Sequence, residues 1–403
     1  MVLKTIEHLP ITGKRVLLRA GLNVPLDSEG RVADDFRLKQ ALPTIRHAAE
    51  RKAKVIVAGH VGRPTSGADR TFSLAPVAQR LAQLLGRSIA MAEDCVGRSV
   101  QDEISRMQPG EILLLENLRF HPQESNNDEE FAIQLASLAD VYVNDAFSVS
   151  HREHASIVGV ASHCPTTGIG FLMENELEAL SRLRKNPASP FIVILGGAKV
   201  RTKLHAVRHF AKTCDNLILG GLMGLTMLRA NGIGVGRSHI DQDLVEEAKT
   251  ILAESRHARA KVFVAKDHLV AEGLTPNASA RPTKDASIPE DCVGCDIGPR
   301  TIDDFTRIIR TAHTIFWNGP MGASEMSACT QGTKAVAEAI TEEASYNVAG
   351  GGDTVAYLVR SGFAKSFSHL STGGGAALQY LVHGNLPGLE ALQDRKRHEK
   401  NAP

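Results

Sequence analysis

Arg37, His60, Arg63, Arg119 and Arg152 each stand at or just beyond the end of a short apolar run in the first half of the chain. The runs read VLLRAGLNVP (16–25), VIVAGHVGRP (55–64), LLLENLRFHP (113–122) and VYVNDAFSVSHREH (141–154). In the second half the runs end in glycine: FIVILGGAKVRTK (191–203), LILGGLMG (217–224), IFWNGPMG (315–322), NVAGGGDT (347–354) and HLSTGGGA (369–376). Guanidinium groups grip carboxylates and phosphates with paired donors. Glycine lets a backbone approach a phosphate closely, and the free amides of a helix start complement its charge. Open α/β sheets place ligands at strand C-terminal ends. The split therefore implies two anion sites, one of side-chain cations and one of backbone amides. That is the equipment for phosphoryl transfer between two anionic molecules.

To hold such residues the runs must be strands. They fall near 15–20, 54–59, 88–92, 111–116 and 140–144 in the first half. In the second they fall near 190–195, 215–219, 261–265, 313–317, 346–349 and 367–371. Amphipathic stretches separate them, among them 36–51, 74–85, 129–139, 241–254, 301–311 and 332–343. Continuous apolar strands alternating with helices indicate parallel sheets covered on both faces, and two such sheets fit better than one of eleven strands. The fold expected is α/β, with two Rossmann-like three-layer domains. FLMENELEALSRLRK (171–185) has strong helix propensity, and NPASP (186–190) breaks it just before the next strand, so the boundary falls there.

Composition narrows the function further. The 403 residues exceed one average core. With 46 Lys and Arg against 45 Asp and Glu, a net charge of +1 gives no global attraction for nucleic acid or membranes. Small-molecule partners are expected instead. No apolar leader or membrane-length run is present, which implies a cytoplasmic protein. The six cysteines are too scattered for a disulfide framework, and the lone pair Cys292 and Cys295 reads as two incidental thiols. His151 and His154 lack a third metal ligand and read as polar site-wall residues.

Three glycine-rich turns open helices in the second half: Gly196-Gly197, before a helix beginning near Lys199, Gly350-Gly351-Gly352, and Gly373-Gly374-Gly375. Neither a G-x-x-x-x-G-K-[ST] loop nor a dinucleotide fingerprint with its later acidic residue occurs, and the protein-kinase motif set is absent. A nucleotide site built another way remains. Asp353 at a glycine-rich helix start suits a Mg²⁺ bridging phosphates, or equally a helix N-terminal charge.

These segments together resemble the phosphoglycerate kinase family over nearly the whole chain. The resemblance is carried by LNVP (22–25), GRP (62–64), LENLRF (115–120), YVNDAF (142–147), HREHAS (151–156), LGGAKV (195–200), DIGP (296–299), WNGPMG (317–322), GGGDT (350–354) and STGGGA (371–376). It implies a phosphoglycerate-binding domain at 1–170, a hinge helix at 171–185, a nucleotide-binding domain at 186–383, and a tail at 384–403 returning to the first domain. It implies a monomer that transfers a phosphoryl group reversibly between ATP and 3-phosphoglycerate, with Mg²⁺ as cofactor. By matched motif, Asn23, Arg37, His60, Val61, Gly62, Arg63, Arg119 and Arg152 would bind the acid. Gly197, Lys199, Lys203, Gly220, Gly221, Asn318, Glu325, Gly350, Gly351, Gly352, Asp353 and Thr354 would bind the nucleotide, Asp353 through the metal. Arg37, Lys199, Gly373, Gly374 and Gly375 would form the catalytic set.

The chemistry agrees, because a carboxylate acceptor is already ionised at pH 7 and needs no general base. Alignment and charge stabilisation then suffice. The chain departs from the family at Gly21, where an Asp that holds the substrate's 2-hydroxyl is expected. It departs also at Ser148-Val149-Ser150, Arg201, Leu222 and Ala323-Ser324. Gly21 raises two alternatives: a related kinase on an acid lacking the 2-hydroxyl, or a weakly active member with a binding role.

Overall fold

The computed structural model describes residues 3–64, 69–275, 278–324, 326–342 and 344–400, with side chains up to residue 393. The chain divides into two compact units, Met1–Glu178 with Asn385–Pro403, and Ala179–Gly384. The division falls inside a single helix, Phe171–Lys185.

Unit 1 is built on six parallel strands, β1 (Arg15–Ala20), β2 (Lys54–Ala58), β3 (Ala90–Met91), β4 (Ile112–Leu114), β5 (Val141–Asp145) and β6 (Thr166–Ile169), in the order β3-β4-β2-β1-β5-β6. Val16, Leu18, Val55, Val57, Ile112 and Leu114 face one layer of core, shared with helices Phe36–Glu50 and Ala75–Leu85. The alternating residues Leu17, Ile56 and Leu113 are buried on the opposite face. A sheet covered on both faces cannot use polar residues in alternation, which is why these strands read as unbroken apolar runs. β6, whose sequence is TTGI, carries no such run and was not anticipated.

Unit 2 repeats the design with β7 (Phe191–Leu195), β8 (Asn216–Leu219), β9 (Lys261–Phe263), β13 (Thr314–Asn318), β14 (Tyr346–Gly350) and β15 (His369–Leu370), ordered β15-β14-β13-β7-β8-β9 and all parallel. The chain's single tryptophan, Trp317, is fully buried at the end of β13 and donates its indole N–H to Gly319 O at 2.8 Å. Between β9 and β13 lies a second sheet that the sequence reading lacked. β10 (His268–Ala271) pairs antiparallel with both β11 (Arg281–Pro282) and β12 (Val293–Ile297). Two of these strands are too short or too irregular to show a period.

Two other expectations need correction. The helix expected near Lys199 is Leu204–Thr213, because residues 198–203 are spent in a turn closed by Lys203 N donating to Val200 O. Cys295 is not an incidental thiol but is disulfide-bonded to Cys329, while Cys292 stays free. Residues three apart in an extended segment face opposite sides, so the partner comes from the Ser327–Cys329 turn instead. Leu269 and Met326 pack around the bridge.

Burial sets the cost of disturbing these layers. Leu18, 0% exposed in the central strand of unit 1, should lose about 2–5 kcal/mol on substitution by alanine. Ile133, 47% exposed, should change stability by less than about 0.5 kcal/mol in the same substitution. Urea unfolding of the two variants, followed by circular dichroism, checks the contrast.

Candidate active site

Parallel strands deliver all their C-terminal ends to one edge of a sheet, so in unit 1 the segments after β1, β2, β4 and β5 meet. Asn23 follows β1, and Arg37 opens the helix that leaves it; His60–Arg63 follow β2, Arg119 follows β4 and Arg152 follows β5. The His60–Arg63 turn is pinned on three sides. Asn23 Oδ1 accepts from Gly62 N at 2.9 Å, Arg119 Nη1 donates to Gly62 O at 2.8 Å, and Asn117 Nδ2 donates to Val61 O at 2.8 Å. Gly62 has φ +64°, and a Cβ there would strike the Phe72 ring at 2.1 Å, so only glycine serves. Arg37 Nη1 donates to Asn23 O at 3.0 Å.

The cations gathered there act on one another. Arg63, Arg119 and Arg152 line one open cavity of about 540 Å³. Burial, then the charges of Arg152, Arg19 and Arg63, lower the Arg119 pKa to about 10. Burial also lowers that of Arg37, against the pull of Asp34 and Glu176. His60 is pushed well below its ordinary value by burial and then by Arg19, Arg119, His154 and Arg37. Arg19 Nη2 lies 2.9 Å from His60 Nδ1. A guanidinium can only donate, so Nδ1 is the acceptor and the single ring proton sits on Nε2. His60 is thus a neutral donor among cations.

The sequence reading missed what locks this arrangement. Arg19, 1% exposed, donates from Nε to Ser156 Oγ at 3.0 Å, and Ser156 donates through Oγ (2.7 Å) and N (2.9 Å) to the buried Glu124 carboxylate. Burial raises the Glu124 pKa, but His154, Arg19 and Ser156 outweigh it and hold the group ionised. A charged residue inside an apolar strand, VLLRA, was the available signal. His154 sits 3.6 Å from Glu124 and belongs to this buried network. His151 is half-buried, and burial with Arg152 and His154 nearby lowers its pKa to about 4.

In unit 2 the strand order reverses direction between β7 and β13, the switch point at which such sheets bind ligands. The turns from the two strands are hydrogen-bonded there, Gly196 N to Asn318 O at 3.0 Å and Gly197 N to Pro320 O at 2.8 Å. Beside them a largely apolar cavity of about 450 Å³ is lined by Gly197, Gly220, Gly221, Leu222, Met321 and Asp353, among others. Gly221 has φ +55°, and a Cβ on it would lie 2.6 Å from Gly197 N. Substitution there would push the two turns apart. Lys203, 8% exposed, donates to Gly196 O at 2.6 Å and Asn318 O at 3.3 Å. Burial lowers its pKa to about 8; Asp353 opposes that shift and Lys199 adds to it. Lys199 itself is exposed in the turn.

The remaining expected residues have varied places. Gly350 ends β14, and Gly351 and Gly352 lead into helix Gly352–Arg360, with Asp353 exposed in its first turn. Among the described residues, nothing lies within 4 Å of a Cβ built on Gly352. Thr354 is fully buried, and its hydroxyl accepts from Gly319 N at 2.8 Å. Asn318 is buried, its Nδ2 unpartnered among the described residues and 3.4 Å from Cβ positions built on Gly350 and Gly351. Gly373 and Gly374 precede helix Gly375–His383, leaving open space before Gly374. Glu325 lies outside the described residues.

The neutrality of His60 can be read directly. Because its folded pKa is lowered, the stability from the neutral ring is complete above about pH 6.5 and is lost as pH falls from there through the folded value. Imidazole ¹⁵N spectra at neutral pH should show His60 as the Nε2–H tautomer, with its titration displaced well below the ordinary range, and a titration midpoint near 6.5 would contradict the assignment.

Known proteins share this architecture. The family model described as phosphoglycerate kinase matches residues 6–384. Curated phosphoglycerate kinases from Desulfosudis oleivorans and Pelotomaculum thermopropionicum are 46% and 45% identical, over 97% and 98% of this chain and 99% and 100% of theirs. The solved phosphoglycerate kinase from Coxiella burnetii is 35% identical with a TM-score of 0.83, covering 98% of this chain and 100% of its own. That from Pyrococcus horikoshii is 33% identical with a TM-score of 0.88, covering 98% and 99%. With its two six-stranded parallel sheets and this similarity along nearly its full length, the chain belongs to the phosphoglycerate kinase family.

Proposed function

We propose that the protein transfers a phosphoryl group reversibly between ATP and 3-phosphoglycerate, giving ADP and 1,3-bisphosphoglycerate. One observation carries the reading. Arg119, Arg63 and Arg152 crowd one cavity at a cost to the Arg119 charge, and a small multiply charged anion is the partner that relieves it. Arg37 and the Nε2–H of His60 extend the donor set toward a carboxylate.

In the forward direction a carboxylate oxygen attacks the γ-phosphorus while the bond to the ADP oxygen breaks. No proton moves, which suits a site of donors and a neutral imidazole. The apolar cavity of unit 2 takes the nucleoside, and the turns at Gly197, Gly350–Gly352 and Gly373–Gly375 offer backbone amides to phosphates. Lys199 and Lys203 add positive charge. Arg37 from the acid side, with Lys199 and Gly373, Gly374 and Gly375 from the other, stabilises the transferring group. Asp353 would hold the Mg²⁺, since it is an exposed carboxylate, a hard oxygen ligand, on the wall of the unit 2 cavity. Bound there, the metal would supply charge neutralisation on the phosphate oxygens.

Each substrate has its own domain in this reading, 1–170 for the acid and 186–383 for the nucleotide. Transfer then requires closure about the helix Phe171–Lys185. The tail at 384–403 belongs with the acid domain, a view supported by Gly388 N donating to Ser150 O at 2.9 Å. The enzyme is taken as a cytoplasmic monomer acting on small molecules. No helix among the described residues is long and apolar enough to cross a membrane.

A coupled assay with ATP and 3-phosphoglycerate should show Mg²⁺-dependent turnover; none under any Mg²⁺ concentration would sink the reading. Lys203→Ala should weaken nucleotide binding by about ten- to a hundredfold, the loss of one charged hydrogen bond. In the wild type, nucleotide affinity should hold below about pH 8 and decline above it as Lys203 loses its proton. Calorimetry from pH 7 to 9 should show that decline disappearing in the variant.

A further inference from the structure

The acid substrate of the proposed reaction carries one group that cations do not recognise, the hydroxyl on carbon 2. Arginines donate only, and so does His60 with its proton on Nε2. The proton of a substrate hydroxyl needs an acceptor, and the carboxylate expected at position 21 is missing.

The structure shows what stands there. In unit 1 the connections leave β1 toward β2 on one side, and the chain returns to β5 on the other, so the switch point lies between β1 and β5. Gly21 directly follows β1, and Ser148 lies in the turn Phe147–Val149 just after β5. Among the described residues, a Cβ built on Gly21 meets a single atom within 4 Å, the Ser148 Oγ at 3.8 Å. Ser148 is half-buried, and its hydroxyl has no hydrogen-bond partner among the described residues. The neighbouring Ser150, by contrast, is fully buried and spends its hydroxyl on Ala146 O at 3.1 Å. Asn23 Oδ1 already accepts from Gly62 N.

We infer that Ser148 is the residue that recognises the 2-hydroxyl of the acid, reaching from β5 into the space that Gly21 leaves open at β1. A serine hydroxyl accepts the substrate proton and can donate in turn, the part that the aspartate expected at position 21 would play from the neighbouring strand. The inference rests on the phosphoglycerate reading above and makes this protein selective for a 2-hydroxy acid despite Gly21.

The test compares KM and kcat for 3-phosphoglycerate and its 2-deoxy analogue, 3-(phosphonooxy)propanoate, in wild type, Ser148→Ala, and the double variant Ser148→Ala with Gly21→Asp. Ser148→Ala should raise KM for the hydroxy acid about three- to tenfold, one neutral hydrogen bond, with kcat little changed and the analogue unaffected. The double variant should restore preference for the hydroxy acid, since the Gly21 backbone is ordinary and its Cβ meets no clash. An equal effect of Ser148→Ala on both acids, or none on either, overturns the role of Ser148 while leaving the kinase reading intact. Absence of wild-type turnover on 3-phosphoglycerate overturns both. Circular dichroism melts of each variant separate a folding defect, which lowers activity on both acids together, from lost recognition.

Discussion

Every strand in the two large sheets points the same way, and the chemistry depends on that constraint. Parallel pairing carries each strand's last residue to the same edge, whatever lies between it and the next strand in sequence. Residues as distant as Asn23 and Arg152, or Gly196 and Pro320, become neighbours without any local signal linking them. The apolar interiors enforce the geometry. With both faces of each sheet covered, a slip of register would turn no strand toward water profitably, so the edge positions stay fixed.

Gathering cations at such an edge is opposed by their own repulsion, and the structure meets this with one buried anion. Glu124 is held ionised beneath Arg19 and Ser156, and Arg19 in turn fixes the tautomer of His60. Among the arginines gathered there, Arg37 and Arg119 each spend a donor on a backbone carbonyl, which fixes their direction. In unit 2 the comparable task falls to backbone, where the Gly196–Gly197 and Asn318–Pro320 turns interlock and Lys203 ties them from below. One domain presents charge carried on side chains, the other presents dipoles set by the main chain.

Much of this was legible from residues alone. Long apolar runs such as VLLRA and FIVIL mark buried parallel strands because no other element needs them, and glycine clusters after them mark close backbone approach. TTGI at β6 and the short β10–β12 sheet left no period to read. Arg19 and Glu124 were passed over because their partnership spans the sheet, and a charge within a strand looks like noise until its partner is seen. The Cys295–Cys329 bridge likewise joins segments whose proximity no spacing rule expresses. Position 21 was legible as a loss; that Ser148 borders the vacated space depended on the adjacency of β1 and β5.

Trp317 gives the molecule an unplanned asymmetry. The only indole of the chain is packed at the end of β13, bonded to the turn that borders the apolar cavity of unit 2, while unit 1 contains none. Its intrinsic fluorescence therefore reports the state of one domain alone. In a protein whose two cores are so alike in design, that single ring allows the melting of unit 2 to be singled out, without a label and in the intact chain.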